Sequence, residues 1–166
     1  MSKIKKKSVD VFKKSIASTC RTISKNPNLS LLFGNKKKEN ELEINLPEIS
    51  DNNYYAEKDA IRGESDSASL IKRYHNPSLH KILAPNSIDS EQIFNLSEFL
   101  RCELLGIKNF PGIAQNLNYL DKKKINIIKK NKKKLTKAET FKLVLKSNIL
   151  NYSLSKDFSN ISDPIF

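Results

Sequence analysis

Residues 89–106 read DSEQIFNLSEFLRCELLG and carry the clearest secondary-structure signal in the chain. Asp89 and Gln92 have the spacing of a capping box, in which two side chains satisfy the free amides at a helix start. Gly106 stands where many helices end in a left-handed glycine. Between these signals lies an apolar stripe at helical spacing, made of Ile93, Leu96, Leu100 and Leu104. The stretch therefore predicts an amphipathic helix that ends at Gly106.

The polar residues of this helix predict an ion pair and no catalytic pair. Glu98 and Arg101 are spaced i, i+3, which places opposite charges next to each other on a helix surface. Glu103 lies about 140° around the helix from Glu98, because each residue turns the helix by about 100°. The two carboxylates therefore do not converge on one substrate from this helix.

Helices are predicted on both sides of this segment. One runs from about residue 57 to residue 74, contains Gly63 and stops before Asn76-Pro77, since proline disfavours helical geometry in the preceding residue. A short helical turn at 78–83 follows. After Phe110-Pro111-Gly112 another helix begins, with apolar Ile113, Leu117 and Leu120. No sequence signal ends it, so its extension into the lysine-rich tract is left as an alternative.

The two ends of the chain add further helices. Val9, Phe12, Ile16, Cys20 and Ile23 share one helical face. Thr136 and Glu139 form a second capping box and predict a helix over 137–150. Its apolar residues are Phe141, Val144, Leu145 and Ile149.

Two short segments alternate with period two, which is typical of strands. They lie at 29–33 and 42–46, on either side of a polar loop at 34–41. We interpret them as a β-hairpin packed on a helix, because a two-stranded hairpin is marginally stable alone. The predicted fold class is mainly α with a small β-hairpin (α+β), a helical domain with basic, partly flexible flanks.

The charge is distributed unevenly over the 166 residues, whose formal net charge is +12. Residues 41–121 contain 13 acidic and 7 basic residues, whereas the flanks are rich in lysine. The chain has 26 lysines and only 4 arginines, and arginine is the residue suited to bidentate contacts with phosphates and bases. Lysine runs of this kind are mostly solvated surface, and two alternatives stay open: an arm that binds an acidic partner, and a nucleic-acid-binding segment.

The sequence predicts five segments. They are a basic N-terminal arm (1–8), a folded domain (9–121), a lysine-rich linker or helix extension (122–135), a C-terminal helix (136–150) and a flexible tail (151–166).

Several kinds of chemistry find no support in the residues. With four glycines, the chain has no phosphate-binding loop and no dinucleotide fingerprint. His75 and His80 are five residues apart, a spacing that does not place them on one helical face, and neither has a cysteine nearby. Cys102 has no paired base and is interpreted as an inert thiol. We therefore expect no catalytic residue, no bound cofactor and no metal site in this chain.

Five segments resemble, in order, the N-terminal part of the T subunit of the aerobic, ATP-dependent cobaltochelatase, the CobT family. The segments are VFKKSIA at 11–17 followed by LSLLF at 29–33, LPE at 46–48, IRGESDSA at 61–68, LHKILAP at 79–85, and the residues from Ile93 to Leu117. The last is the most specific, because Glu98, Arg101, Glu103 and FPGIAQNL at 110–117 match the family's spacing. The resemblance extends from Val9 to Leu120.

The resemblance implies a non-catalytic role in cobalamin biosynthesis. Two cysteines, Cys20 and Cys102, cannot form a disulfide framework, so a reducing cytoplasm is the expected location. The T subunit pairs with a hexameric AAA+ ATPase, and together they act on the large subunit that inserts cobalt into hydrogenobyrinic acid a,c-diamide. ATP, magnesium and cobalt are used by that complex and none is expected to bind here. Polar residues at matched positions are implied to be partner contacts or structural ion pairs: Arg62, Asp66, Glu98, Arg101 and Glu103.

The sequence also departs from the family. Family members are several times longer, with an acidic linker and a von Willebrand A domain, so this chain is expected to be a fragment, a separately encoded N-terminal domain or a degraded remnant. Lys108-Asn109 stands in place of the family's Arg-Arg. Two other functions stay open: an AAA+ partnership that remodels a different client, and a small lysine-rich nucleic-acid-binding protein.

Overall fold

The computed structural model describes residues 2–34 and 40–150, with the backbone alone for residues 2–7. Within these residues the elements are α1 (Ser2–Ser24), β1 (Ser30–Phe33), β2 (Glu43–Leu46), α2 (Tyr54–Tyr74), α3 (Pro77–Leu83), α4 (Ile88–Asn109), α5 (Ile113–Lys130) and α6 (Lys137–Leu150). The predicted class, mainly α with a small β element, is confirmed. Residues 2–8 of the predicted arm belong to α1. The predicted tail at 151–166 lies outside the described residues, and the predicted domain limits stay a prediction.

The two strands pair in parallel, so the predicted hairpin is wrong. Ser30 lies opposite Glu43 and Phe33 lies opposite Leu46, with both strands running the same way. Period-two alternation identifies a strand but contains no information on its direction, which explains the error. Ile44 and Leu46 point inward from β2, which packs on α2.

Helix α2 is the centre of the fold. It packs against α1, α4, α5 and β2. It begins at Tyr54, three residues before the predicted start. A Cβ atom at Gly63 would lie 2.6 Å from the backbone oxygen of Asn116, so only glycine lets α2 and α5 approach this closely. On the other side, a Cβ at Gly106 of α4 would collide with the side chain of Leu70.

Both predicted ends of α4 need correction. The cap is Ser87, whose hydroxyl accepts a hydrogen bond from the amide of Ser90 at 3.2 Å. Asp89 lies in the first turn, where its negative charge interacts favourably with the positive end of the helix dipole, but it is not the residue that caps the helix. The helix continues through Gly106 to Asn109, because Gly106 serves the close contact with α2 and does not end the helix.

The predicted apolar faces vary in how well they match the core. The predicted faces of α1 and α5 are buried in full. On α4, Leu100 is buried, Leu96 and Leu104 are half-buried, and Ile93 is exposed.

The helix predicted over 137–150 is present, but its predicted apolar face is not the buried one. Phe141, Val144 and Leu145 are half-buried and Ile149 is exposed. The buried residues are Ala138, Thr140, Leu143, Lys146 and Ser147.

In the described part of the chain, every helix is too short or too polar to cross a membrane.

Candidate functional site

An apolar surface is exposed on α3 and the first turns of α4. Helix α3 buries none of its residues, and Ile82 is 78% exposed. Ile88, at the start of α4, is 73% exposed. We call this the α3 surface, defined by Leu79, Ile82, Leu83, Ile88 and Ile93. Large exposed apolar patches on a folded domain mark interaction sites, because burying them removes apolar area from water.

The local sequence explains why α3 forms although it adds nothing to the core. Pro77 occupies the first helical position, where its missing amide costs no hydrogen bond. The side chain of Asn76 caps the helix by accepting from the amide of Leu79 at 3.0 Å. Together these residues start a helix that the hydrophobic core does not stabilise.

The imidazole of His80 contacts two residues of α4. His80 Nε2 lies 2.7 Å from Oδ1 of Asn95, and its ring stacks on Phe94 with the ring centres 4.5 Å apart. The ring of His80 also contacts the ring of His75 at 4.8 Å. His80 therefore sets the position of the α3 surface relative to the body of the domain.

The fold brings His75 and His80 together although their spacing does not place them on one helical face. The chain leaves helical geometry at His75 and Asn76, so helical spacing does not apply between His75 and His80. Glu98 Oε1 accepts from Nδ1 of His75 at 3.1 Å. Among the described residues, no group of three or more histidine, cysteine, aspartate or glutamate side chains is arranged to hold a metal ion.

The predicted ion pair between Glu98 and Arg101 is present and bidentate. Nε and Nη2 of Arg101 each donate to a different oxygen of Glu98, both at 2.7 Å. Nη2 also donates to the backbone oxygen of Tyr74 at 2.9 Å. Hydrogen bonds from Arg101 and then from His75 outweigh partial burial and lower the pKa of Glu98 to about 2. The pair therefore ties the end of α2 to α4.

Cys102 follows Arg101 but is fully buried. Burial, followed by the charge of Glu98, raises the pKa of its thiol to about 11. At neutral pH the group is a thiol and not the nucleophilic thiolate, which agrees with the expected inert role.

Glu103 faces the interior and forms a buried charge cluster with α6. Its carboxylate accepts from Lys146 at 2.9 Å, from Lys142 at 3.3 Å and from the hydroxyl of Ser67 at 2.8 Å. Lys146 also donates to Asp121 at 2.6 Å. Burial alone would raise the pKa of Glu103, but the two lysines and the hydrogen bonds outweigh it and lower that pKa. We call these five residues the buried cluster.

The lysines of this cluster were missed by sequence reasoning. Lys146 is 43 residues from Glu103 in sequence, and lysine is normally placed on exposed faces. One signal was available. Leu143 is an apolar residue on the side of α6 opposite the predicted apolar face, and Lys146 follows it at i, i+3 and therefore shares that side.

Arg62 and Asp66, the other matched residues, lie on α2. Arg62 is exposed, pairs with Asp59 at 3.5 Å, and has its guanidinium 5.5 Å from the ring centre of Phe12. Asp66 is buried and accepts from the side-chain amide of Asn116 at 2.8 Å. Burial raises its pKa, against the hydrogen bond from Asn116 and the charge of Arg62. Of the five matched residues, Glu98 and Arg101 contact each other, whereas Arg62, Asp66 and Glu103 make separate contacts, so the five do not form one site.

The fold and these contacts define a small, mainly helical domain whose helices are joined by ion pairs and which exposes an apolar surface on a short helix. The sequence profile of a family described as cobalamin biosynthesis protein CobT matches residues 6–146. The chain belongs to this family and so has a role in cobalamin biosynthesis. Searches of curated proteins and of solved structures returned no match.

Proposed function

We propose that this chain is a non-catalytic subunit, or N-terminal domain, of an ATP-dependent cobaltochelatase. It docks on an AAA+ ATPase partner, which acts with it on the large subunit that inserts cobalt into hydrogenobyrinic acid a,c-diamide. Family membership supports the pathway, and the α3 surface supports the docking role. In this proposal the complex works in the cytoplasm, where ATP and magnesium drive the partner and cobalt is a substrate of the large subunit.

The observation that carries the docking role is the exposure of α3. Leu79, Ile82 and Leu83 are each more than half exposed although the helix is well capped. Helix α3 does not stabilise the core. Its exposed apolar residues therefore lower the free energy only when another surface covers them and removes them from water. A partner that covers them gains affinity mainly from these few central side chains.

The contacts behind the α3 surface support the same role. His80 holds α3 against Asn95 and Phe94, and His75 links it to the pair of Glu98 and Arg101. A docking element held in this way is ordered before the partner arrives, which lowers the entropy cost of binding. In this proposal Glu98 and Arg101 act as support for the interface and do not carry out chemistry.

The test measures binding between the full chain and the AAA+ ATPase subunit of a cobaltochelatase. The variant Ile82→Asp/Leu83→Asp places two charges on the α3 surface, and we expect its binding to be at least about tenfold weaker, the loss of one good apolar contact or more. Val11→Asp is the matched control, since Val11 is also an exposed aliphatic residue on a helix. Circular dichroism verifies that both variants stay folded.

Two results would overturn the proposal. One is that the unmodified chain does not associate with the ATPase subunit. The other is that Val11→Asp weakens association as much as the double variant, which would show that the α3 surface has no special part in it.

A further inference from the structure

Helix α5 exposes a second surface, independent of α3. An open groove of about 430 Å³ lies along its outer face. We call it the α5 groove, defined by Tyr119, Lys122, Lys123, Asn126, Ile127 and Lys130. These residues recur every three or four positions, so they share one face of the helix. Tyr119 and Ile127 are almost half exposed there.

The groove combines an apolar floor with a positive rim. Residues 122–137 contain nine lysines and no acidic residue. Lys123 is fixed by Glu57, with its Nζ 2.6 Å from a carboxylate oxygen and 3.3 Å from the backbone oxygen of Ala56. Lys122 and Lys130 are exposed at either end. The rim therefore favours a ligand that is negatively charged.

The apolar floor favours protein over nucleic acid. Ile127 offers no stacking platform for a base, Tyr119 is the only aromatic residue in the groove, and α5 contains no arginine. A membrane is disfavoured because the main apolar face of α5 is already in the core, through Ile113, Leu117, Leu120 and Ile125. The remaining apolar area matches a few side chains of a peptide.

We propose that the α5 groove binds an acidic amphipathic helix of a partner protein. The partner's apolar side chains lie on Tyr119 and Ile127, and its carboxylates pair with Lys122 and Lys130. These two lysines are eight residues apart, about 12 Å along the helix, so the pairing carboxylates stand about two turns apart. The proposal concerns α5 alone and does not depend on the cobaltochelatase assignment or on the α3 surface.

The test uses a fluorescent synthetic helix with leucines on one face and glutamates two turns apart beside them. Its control is a scrambled peptide of the same composition and net charge. Binding to the full chain is measured by fluorescence anisotropy at low salt. We expect the ordered peptide to bind at least about tenfold more tightly than the scrambled one, because only the ordered peptide places leucines on the groove floor.

Three variants locate the binding. Lys122→Glu/Lys130→Glu reverses both ends of the rim, and Ile127→Asn removes part of the floor. Each is expected to weaken binding of the ordered peptide by about tenfold or more. Lys14→Glu/Lys108→Glu is the matched control, since it makes the same charge change at exposed lysines outside the groove and is expected to have a small effect.

Several outcomes would overturn the proposal. Equal binding of the two peptides would show attraction by net charge alone. Tighter binding of a short DNA duplex, lost in the rim variant, would assign the groove to nucleic acid, and binding of anionic vesicles with the same loss would assign it to lipid. An absence of binding by either peptide, or an equal loss in the control variant, would identify the lysines as solvated surface.

Discussion

Glu98 and Glu103 lie five residues apart on α4, and their surroundings are opposite. The side chain of Glu98 is 15% exposed and pairs with Arg101, which is 49% exposed. The side chain of Glu103 is 4% exposed and pairs with Lys146, which is 1% exposed. Both carboxylates have a lowered pKa, yet one pair borders water and the other is enclosed by four helices. Two glutamates on the same helix therefore have different roles, and the burial of the partner cation indicates that difference better than the residue type does.

The sharpest way to test this difference is to remove the buried cation. Lys146→Met removes the buried ammonium that pairs with both Glu103 and Asp121, while Lys142 still donates to Glu103. We expect a loss of about 3 kcal/mol of unfolding free energy, the lower end of the cost of breaking a buried ion pair. Urea unfolding followed by circular dichroism measures it. Lys137→Met, an exposed lysine at the start of the same helix, should change stability by less than about 0.5 kcal/mol. A loss below about 1 kcal/mol at Lys146 would contradict the buried cluster.

The pair of Glu98 and Arg101 should respond less strongly. Arg101→Ala removes the bidentate contact with Glu98 and the hydrogen bond to the backbone oxygen of Tyr74, while water can replace both. We expect a loss of about 1–2 kcal/mol, measured by the same unfolding experiment. Arg62→Ala breaks an exposed pair with Asp59 and should cost at most about 0.5 kcal/mol. Equal losses for the two variants would mean that Arg101 does not secure the end of α2.

Acidification tests how much the pair of Glu98 and Arg101 contributes to stability. The folded pKa of Glu98 is about 2, below its ordinary value of 4.5, so its contribution is complete above pH 4.5 and is lost as the pH falls toward 2. Because solvent screens the half-exposed Arg101, we expect about 1 kcal/mol of pH-dependent stability to disappear in Glu98→Gln. Glu91→Gln, at an exposed site on α4, is the control. A Glu98→Gln profile parallel to that of the unmodified chain between these pH values would refute the pair's contribution.

Asp66 should show the smallest effect, with the opposite sign. Burial raises its pKa, so the folded state binds a proton more readily than the unfolded chain and stability falls as the pH rises through this range. Asp66→Asn removes that fall while an amide oxygen still accepts from Asn116. We expect it to be neutral or to stabilise by less than about 1 kcal/mol at neutral pH. Unfolding midpoints at acidic and neutral pH measure this, and a clear destabilisation at neutral pH would be inconsistent with a raised pKa.

Local signals in the sequence predicted local structure well. The capping box of Thr136 and Glu139 is present, with hydrogen bonds in both directions at 2.8 Å and 3.2 Å. The pair of Glu98 and Arg101 follows from its spacing, since both residues are on one helix. The break at Asn76-Pro77 is also correct, because proline acts on its immediate neighbour.

These local signals did not predict the contacts between different helices and strands. The direction of β2 depends on how the chain returns after Phe33, and the alternating pattern does not contain it. Gly106 resembled a helix terminus because the sequence gives no sign that Leu70 lies against it. The contact between His75 and His80, and the burial of Lys146, each depend on how helices are placed relative to each other.

The central position of α2 has a consequence for how the domain opens. Four other elements pack on this helix, and Gly63 lets α5 lie directly on its backbone. Its amides therefore cannot be exposed by the detachment of any one neighbour. In native-state hydrogen exchange we expect the amides in the middle of α2 to exchange only through global unfolding, and those of α3 to exchange through local fluctuations many times faster.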